Sequence, residues 1–204
     1  MTCCSAGIEQ GTFESLADHW QHLTEDCAEP TFFDSRTWQQ TWWSEFGGDS
    51  ELKLLIVRSD SGEADMIAPL MVDGSEISFL GSTDLVDYHD FLTRDRLSSN
   101  CIESIVSAIT EMDNIDTVLL QSLPGNSPTI TQFRESAETA GWSVSLEQED
   151  VAPRVELPET WDEYVSNLRR KDRHELRRKL RRLETVGEFQ HLELTSADEV
   201  EAAM

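Results

Sequence analysis

The sequence predicts an α/β (α+β) protein built on a mixed sheet flanked by helices. Three observations predict it. Two amphipathic helical stretches come first, three strand-like runs follow, and helix and strand then alternate. The separators Asp60-Ser61-Gly62 and Asp73-Gly74 have hairpin-turn chemistry, so the three runs form an antiparallel meander.

The elements follow in order. Residues 12–28 place Phe13, Leu16, Trp20 and Leu23 on one helical face. Phe32–Phe46 reads as a second helix, capped by Asp34 or Ser35 and ended by Gly47-Gly48. Trp38, Trp42 and Phe46 repeat along it at helical spacing. Strands are expected at Leu52–Arg58, Ala64–Val72 and Glu76–Leu80, with Pro69 marking a bulge or an edge. Ser99–Met112 is a helix by its Ile and Val spacing, Thr117–Leu123 a strand, and Ser127 or Thr129 opens a helix that Gly141 closes. Trp142–Leu146 and Ala152–Leu157 read as two further strands.

Pro158 marks a boundary. Thr160-Trp-Asp-Glu163 is a capping box that starts a helix running to about Glu184. Its first apolar face (Trp161, Tyr164, Val165, Leu168) is displaced in phase from the later stripe Leu176, Leu180, Leu183. Phe189–Leu194 is a last strand, and Ser196-Ala-Asp-Glu199 caps a final helix. The expected organisation is an N-terminal segment with one helix (1–29), a first module (30–157), and a basic helix opening an incomplete second module (158–204).

Charge narrows the function. The chain has 40 acidic and 16 basic residues, a net charge of −24. Nine of the basic residues lie between Arg169 and Arg182, against Asp172 and Glu175, so that window is +7 and the remainder −31. The acidic, lysine-poor body suits a high-salt cytoplasm, where self-repulsion is screened. It also disfavours nucleic acid as a partner, because it repels the phosphates the basic helix would attract. No run of about 18 apolar residues occurs, so no transmembrane helix is expected. Met1–Ser5 has no basic-then-apolar leader, and the four Cys lack metal-ligand spacing. The expected compartment is the reducing cytoplasm, with no metal site.

Certain runs carry a resemblance. They are Pro30-Thr-Phe-Phe-Asp-Ser-Arg-Thr-Trp38, Trp42–Phe46, Ala68-Pro-Leu70, Phe79-Leu-Gly81 and Asp87-Tyr-His-Asp90, then Leu157–Trp161 and Leu168–Arg178. In this order the chain resembles the N-terminal part of BioF2-like (CelD-like) acetyltransferases of the Gcn5-related N-acetyltransferase superfamily, related to the FemAB peptidyltransferases. The resemblance implies a first acetyltransferase-like (GNAT-like) module and the start of a second, truncated one. It implies transfer of an acyl group from acetyl-CoA or another acyl-CoA to an amine, on a small molecule or a polysaccharide or envelope precursor. The superfamily's pyrophosphate loop, Arg/Gln-x-x-Gly-x-Gly/Ala, does not occur. The nearest turn, Leu123-Pro-Gly-Asn-Ser127, has one glycine and no arginine before it. The cofactor site is therefore expected outside these residues, and activity is expected to need a missing C-terminal module.

Candidate site residues follow from the residue types. Asp87-Tyr-His-Asp90 gathers two carboxylates, a phenol and an imidazole. Asp87 and Asp90 are candidate bases, because only a neutral amine attacks a thioester. Tyr88 and His89 are candidate substrate contacts. As a strand, this run would put Asp87 and His89 on one face; the other reading is a capped turn before Phe91-Leu92. Trp38, Trp42 and Trp43 are candidates for an aromatic wall, and Trp38 and Trp42, at helical spacing, are otherwise core residues. In the basic helix, Arg173 and Arg177 stand one turn apart and can reach one anion. The helix otherwise pairs with the acidic body, or serves as a non-catalytic dock for a polyanion.

Overall fold

The structure, a computed structural model, describes residues 7–27, 30–59, 61–81, 84–94, 99–153, 155–187, 193–194 and 196–203. The chain divides into two units, Met1–Asp150 and Val151–Met204.

The first unit is a mixed α+β structure. Its elements are β1 (Gly7–Gly11), α1 (Ala17–Asp26), α2 (Arg36–Phe46), β2 (Glu51–Arg58), β3 (Ala64–Asp73), β4 (Glu76–Phe79), β5 (Leu92–Thr93), α3 (Ser99–Thr110), β6 (Thr117–Leu119) and α4 (Pro128–Thr139), with a 3-10 turn at Phe32–Asp34 before α2. The six strands form one sheet in the order β1-β2-β3-β4-β6, and β5 also pairs with β3. All pairings are antiparallel except β4 with β6, which is parallel.

Alternation along β2 and β3 sends side chains to both faces, and both are covered. Leu55, Val57, Met66, Ala68 and Leu70 pack against α3 and α4 in one core. Leu54, Ile56 and Ile67 pack against α1 and α2 in the other, around Trp20 and Trp42. Burial on both faces is why β2 and β3 read as nearly continuous apolar runs. Trp20 satisfies its indole N–H by donating to the Asp34 carbonyl at 2.8 Å, which ties α1 to the turn before α2.

Several expectations need adjustment. β1 was not legible: Gly-Ile-Glu-Gln-Gly has one apolar residue and no alternation, yet it pairs with β2 along five positions. The first helix starts at Ala17 because Thr12 and Ser15 exchange backbone-to-side-chain hydrogen bonds of 2.8 and 3.2 Å, closing a turn first. Ser35 caps α2 by accepting from Trp38 N, while Thr31 and Asp34 box the preceding turn. Pro69 lies in a central strand, not at an edge or bulge. It falls where the partner along one side of β3 changes from β5 (Met66, Ile67) to β4 (Leu70–Asp73), so its missing N–H leaves no ladder bond unmade. The register shift lies instead at Val57/Arg58. The described parts of Trp142–Leu146 and Ala152–Leu157 lie outside any strand. A strand pattern expresses itself only against a partner edge. Trp142 packs into the first core instead and donates its indole N–H to Thr110.

The second unit holds α5 (Trp161–Asn167), α6 (Arg170–Glu184) and α7 (Ala197–Ala203). The single helix expected over 161–184 is two. Leu168 and Arg169 are extended, with ψ of 145° and 149°. The phase displacement between the two apolar stripes is the sequence trace of this break. Thr160 caps α5 and Ser196 caps α7. The strand expected at Phe189–Leu194 falls largely outside the described residues, as do Cys3 and Cys4. Among the described residues no helix is long and apolar enough to cross a membrane.

Candidate functional site

The parallel pair β4/β6 sets up the site. Glu76 pairs with Thr117 and Ser78 with Leu119, so Glu76, Ser78 and Leu119 project from one face of the sheet, and Gln121 follows two residues beyond the end of β6. Ile77 lies in the core on the α3 side. On the Glu76 face, α2 ends the cover with Trp42. Beyond it lies a concavity of about 280 Å³, lined by Trp42, Met71, Glu76, Ser78, Phe79, Gly81, His89, Leu119 and Gln121.

The loop between β4 and β5 carries the tetrad to this place. Both strands pair with β3, so the chain leaves the sheet after Phe79 and returns at Leu92. Gly81 makes the departure at φ +141°, and a side chain there would collide with His89 Nε2. His89 N–H donates to the Ser122 carbonyl at 3.0 Å, which fastens the loop to the end of β6. Ser122 itself has φ +58°, unusual without glycine, and its N–H donates to the Glu149 carboxylate at 2.6 Å.

The four residues take different roles. Residues 87–90 form no strand, and Asp87 and His89 do not share a face: Asp87 is exposed, whereas His89 is 5% exposed. His89 stacks on Phe79 at 5.5 Å between centroids, and neither ring nitrogen has a hydrogen-bond partner. Burial pushes its pKa down, so the ring is neutral at pH 7. The Gln121 carbonyl, which does not reach hydrogen-bonding geometry with the ring, and the Glu149 carboxylate favour the charged form and are outweighed. Both Asp90 oxygens are occupied. Oδ2 accepts from Ser127 Oγ at 2.5 Å, and Oδ1 accepts from Thr129 Oγ1 at 2.7 Å and Phe91 N at 2.8 Å. Burial raises the Asp90 pKa, its three donors oppose that shift, and the nearby Asp34 charge adds to it. Asp90 therefore works as a pin between the loop and the start of α4, and of its three bonds only the one from Phe91 N is the local backbone contact of the capped-turn reading. Tyr88 is half-buried.

Trp38 lies one turn from the concavity and does not line it. It packs with Phe32 and Phe33 at 5.2 and 5.6 Å. Trp42, the next residue of that stripe, is the one that walls the concavity. Arg173 and Arg177 belong to α6 of the second unit. Arg173 donates to the Ser166 carbonyl at 2.9 Å, bracing α6 on the end of α5, and Arg177 is exposed. The sequence reading missed Glu76, Ser78 and Gln121. Their only signal is the alternation of Glu-Ile-Ser-Phe, which marks polar positions on one strand face without saying that the face is uncovered.

The fold and site define a mixed α+β protein with a concavity beside a parallel strand pair. The chain matches no family model, no curated protein and no solved structure.

Proposed function

We propose that the first unit is the acceptor-binding module of an N-acyltransferase that moves an acyl group from acyl-CoA to an amine. The order β-αα-βββ-β-α-β-α and the mixed sheet support the acetyltransferase-like reading. The observation that carries the acceptor assignment is the charge of the concavity. It holds one carboxylate, Glu76, and no lysine or arginine. The described basic side chains of this unit that make ion pairs do so elsewhere, in Lys53–Glu51, Arg58–Glu9 and Arg94 with Asp26 and Glu63. Such a lining attracts an ammonium and repels the phosphates of coenzyme A. The cofactor's phosphates then lie against other residues. In this reading His89 supplies a neutral wall and Asp90 holds the loop, and Asp87, exposed and outside the concavity's lining, is the base only if the bound amine extends to it.

Calorimetry tests the assignment. The chain should bind a simple alkyl amine and show no acetyl-CoA binding that the amine displaces. Acetyl-CoA competing with the amine would put the cofactor in the concavity and overturn it.

A second reading, docking of a polyanion, is favoured by α6. Two of its basic residues are tied by hydrogen bonds, Arg178 to Glu175 and Arg173 to the Ser166 carbonyl, and Arg177, Lys179, Arg181 and Arg182 are exposed. Binding of heparin that collapses steeply as salt rises would support it.

A further inference from the structure

We propose that Glu149 is a positioning residue for the concavity: it holds Ser122 in the left-handed turn that sets Gln121 and His89 in the wall. The proposal rests on the acceptor reading only for what that wall binds.

Among the described residues two that are not glycine have positive φ, Asn114 at 65° and Ser122 at 58°. Asparagine enters this region readily, whereas serine stays there only when its surroundings impose it. Glu149 imposes it. Its Oε2 accepts from Ser122 N–H at 2.6 Å, a charge-assisted bond of the short, strong kind. Its Oε1 lies 3.5 Å from Gln121 Nε2, a long contact to the preceding residue. The carboxylate comes from an exposed segment, residues 143–150, that is neither helix nor strand.

Both gripped residues act on the concavity. Gln121 lines it, two residues beyond the end of β6. The Ser122 carbonyl accepts the His89 N–H at 3.0 Å, and His89 lines it as well. The His89 ring has no bond of its own, since neither nitrogen has a partner; it rests on Phe79, with ring centroids 5.5 Å apart, and against Gly81. Its place in the wall therefore follows its backbone, and its backbone follows Ser122. The Asp90 pin holds the next residue independently, so the loop survives without Glu149 while the wall shifts. Deprived of its acceptor, Ser122 relaxes to negative φ, which turns its carbonyl away from His89 and swings Gln121. Glu149 is exposed and outside the lining, so it acts through Ser122 and touches no ligand.

The test reads the His89 Hε1 resonance of the full chain, assigned by its absence in His89→Leu, and binding of butylamine by calorimetry. In Glu149→Ala the resonance should move toward that of an unstacked histidine, and butylamine should bind about fivefold more weakly. Glu149→Gln keeps an acceptor oxygen and should restore affinity to within about twofold of wild type. Adding Ser122→Gly to Glu149→Ala should recover at least about half of the resonance shift, because glycine holds positive φ unaided. Glu147→Ala, in the same exposed segment, should change nothing. An unmoved Trp20 indole N–H resonance, from the bond to the Asp34 carbonyl, shows that the fold is intact. A His89 resonance that stays in place in Glu149→Ala, or that Glu147→Ala moves as far, would overturn the proposal. If wild type does not bind butylamine, the acceptor reading fails, and the His89 resonance, read without ligand, still decides the role of Glu149.

Discussion

Thr129, the second residue of α4, donates its hydroxyl to Asp90 Oδ1 at 2.7 Å, so a helix start is held by a carboxylate 39 residues earlier in the chain. Ser127, the N-cap of the same helix, holds the other Asp90 oxygen. The loop that floors the concavity and the helix that covers the far face of the sheet are thus fastened at one point.

Asp90→Ala should therefore act on stability. It leaves two part-buried hydroxyls and the Phe91 N–H without their acceptor, a loss of about 2–3 kcal/mol. Asp90→Asn keeps one acceptor oxygen and should lose about half as much. Urea denaturation of both variants checks this. A stability unchanged in Asp90→Ala would remove the structural role.

Gly81→Ala should destabilise by about 2 kcal/mol or more, because it combines a backbone angle reserved for glycine with a collision against the His89 ring. Gly62→Ala is the control. Gly62 also has positive φ, at +84°, but nothing stands within reach of an added Cβ, so its loss should be nearer 1 kcal/mol. The difference in denaturation midpoints isolates the collision.

His89 gives a pH signature. Its pKa is lower in the folded chain than in the unfolded one, so the unfolded chain takes up the proton first as pH falls. The contribution is fully present above the ordinary histidine pKa and is lost as pH falls through the folded value. Asp34 and Asp90, raised mainly by burial, act in the opposite sense. Their contribution is present at acid pH and lost as pH rises through their folded values. Comparing wild type with His89→Leu cancels the carboxylate contributions. Wild type should lose stability relative to the variant as pH drops below about 6.5. Parallel stability–pH curves would show that His89 does not titrate on unfolding.

Thr160→Ala should cost α5 about 1 kcal/mol, because the Thr160 hydroxyl accepts from Glu163 N at 3.2 Å. Hydrogen exchange at Glu163 reads this locally: its amide should exchange about fivefold faster in the variant.

The sequence was most legible where one residue's neighbours along the chain decide its state. The periodic apolar spacing of α3, the caps at Ser35, Ser127 and Thr160, and the meander β2-β3-β4 all appear as read, within a few residues. The break between α5 and α6 was written as a phase shift and taken for one helix. A helical wheel registers displacement but not the two extended residues that cause it. β1 was illegible because its place comes from pairing with β2, not from its own pattern.

The sequence by itself determined the mixed α+β class, the order of the main elements and the separation of a basic helix from an acidic body. These follow from periodicity, turn chemistry and charge, which act over a few residues. Tertiary structure alone decided which members of Asp87–Asp90 face solvent, which tryptophan walls the concavity, and that Glu76 and Gln121 line the same concavity. Residues 76 and 117 pair because β4 and β6 run in parallel with α3 between them in sequence, and a contact across 41 residues leaves no trace in local pattern. Burial, the property that makes His89 neutral and occupies Asp90, is likewise set by what packs on a residue from elsewhere in the chain.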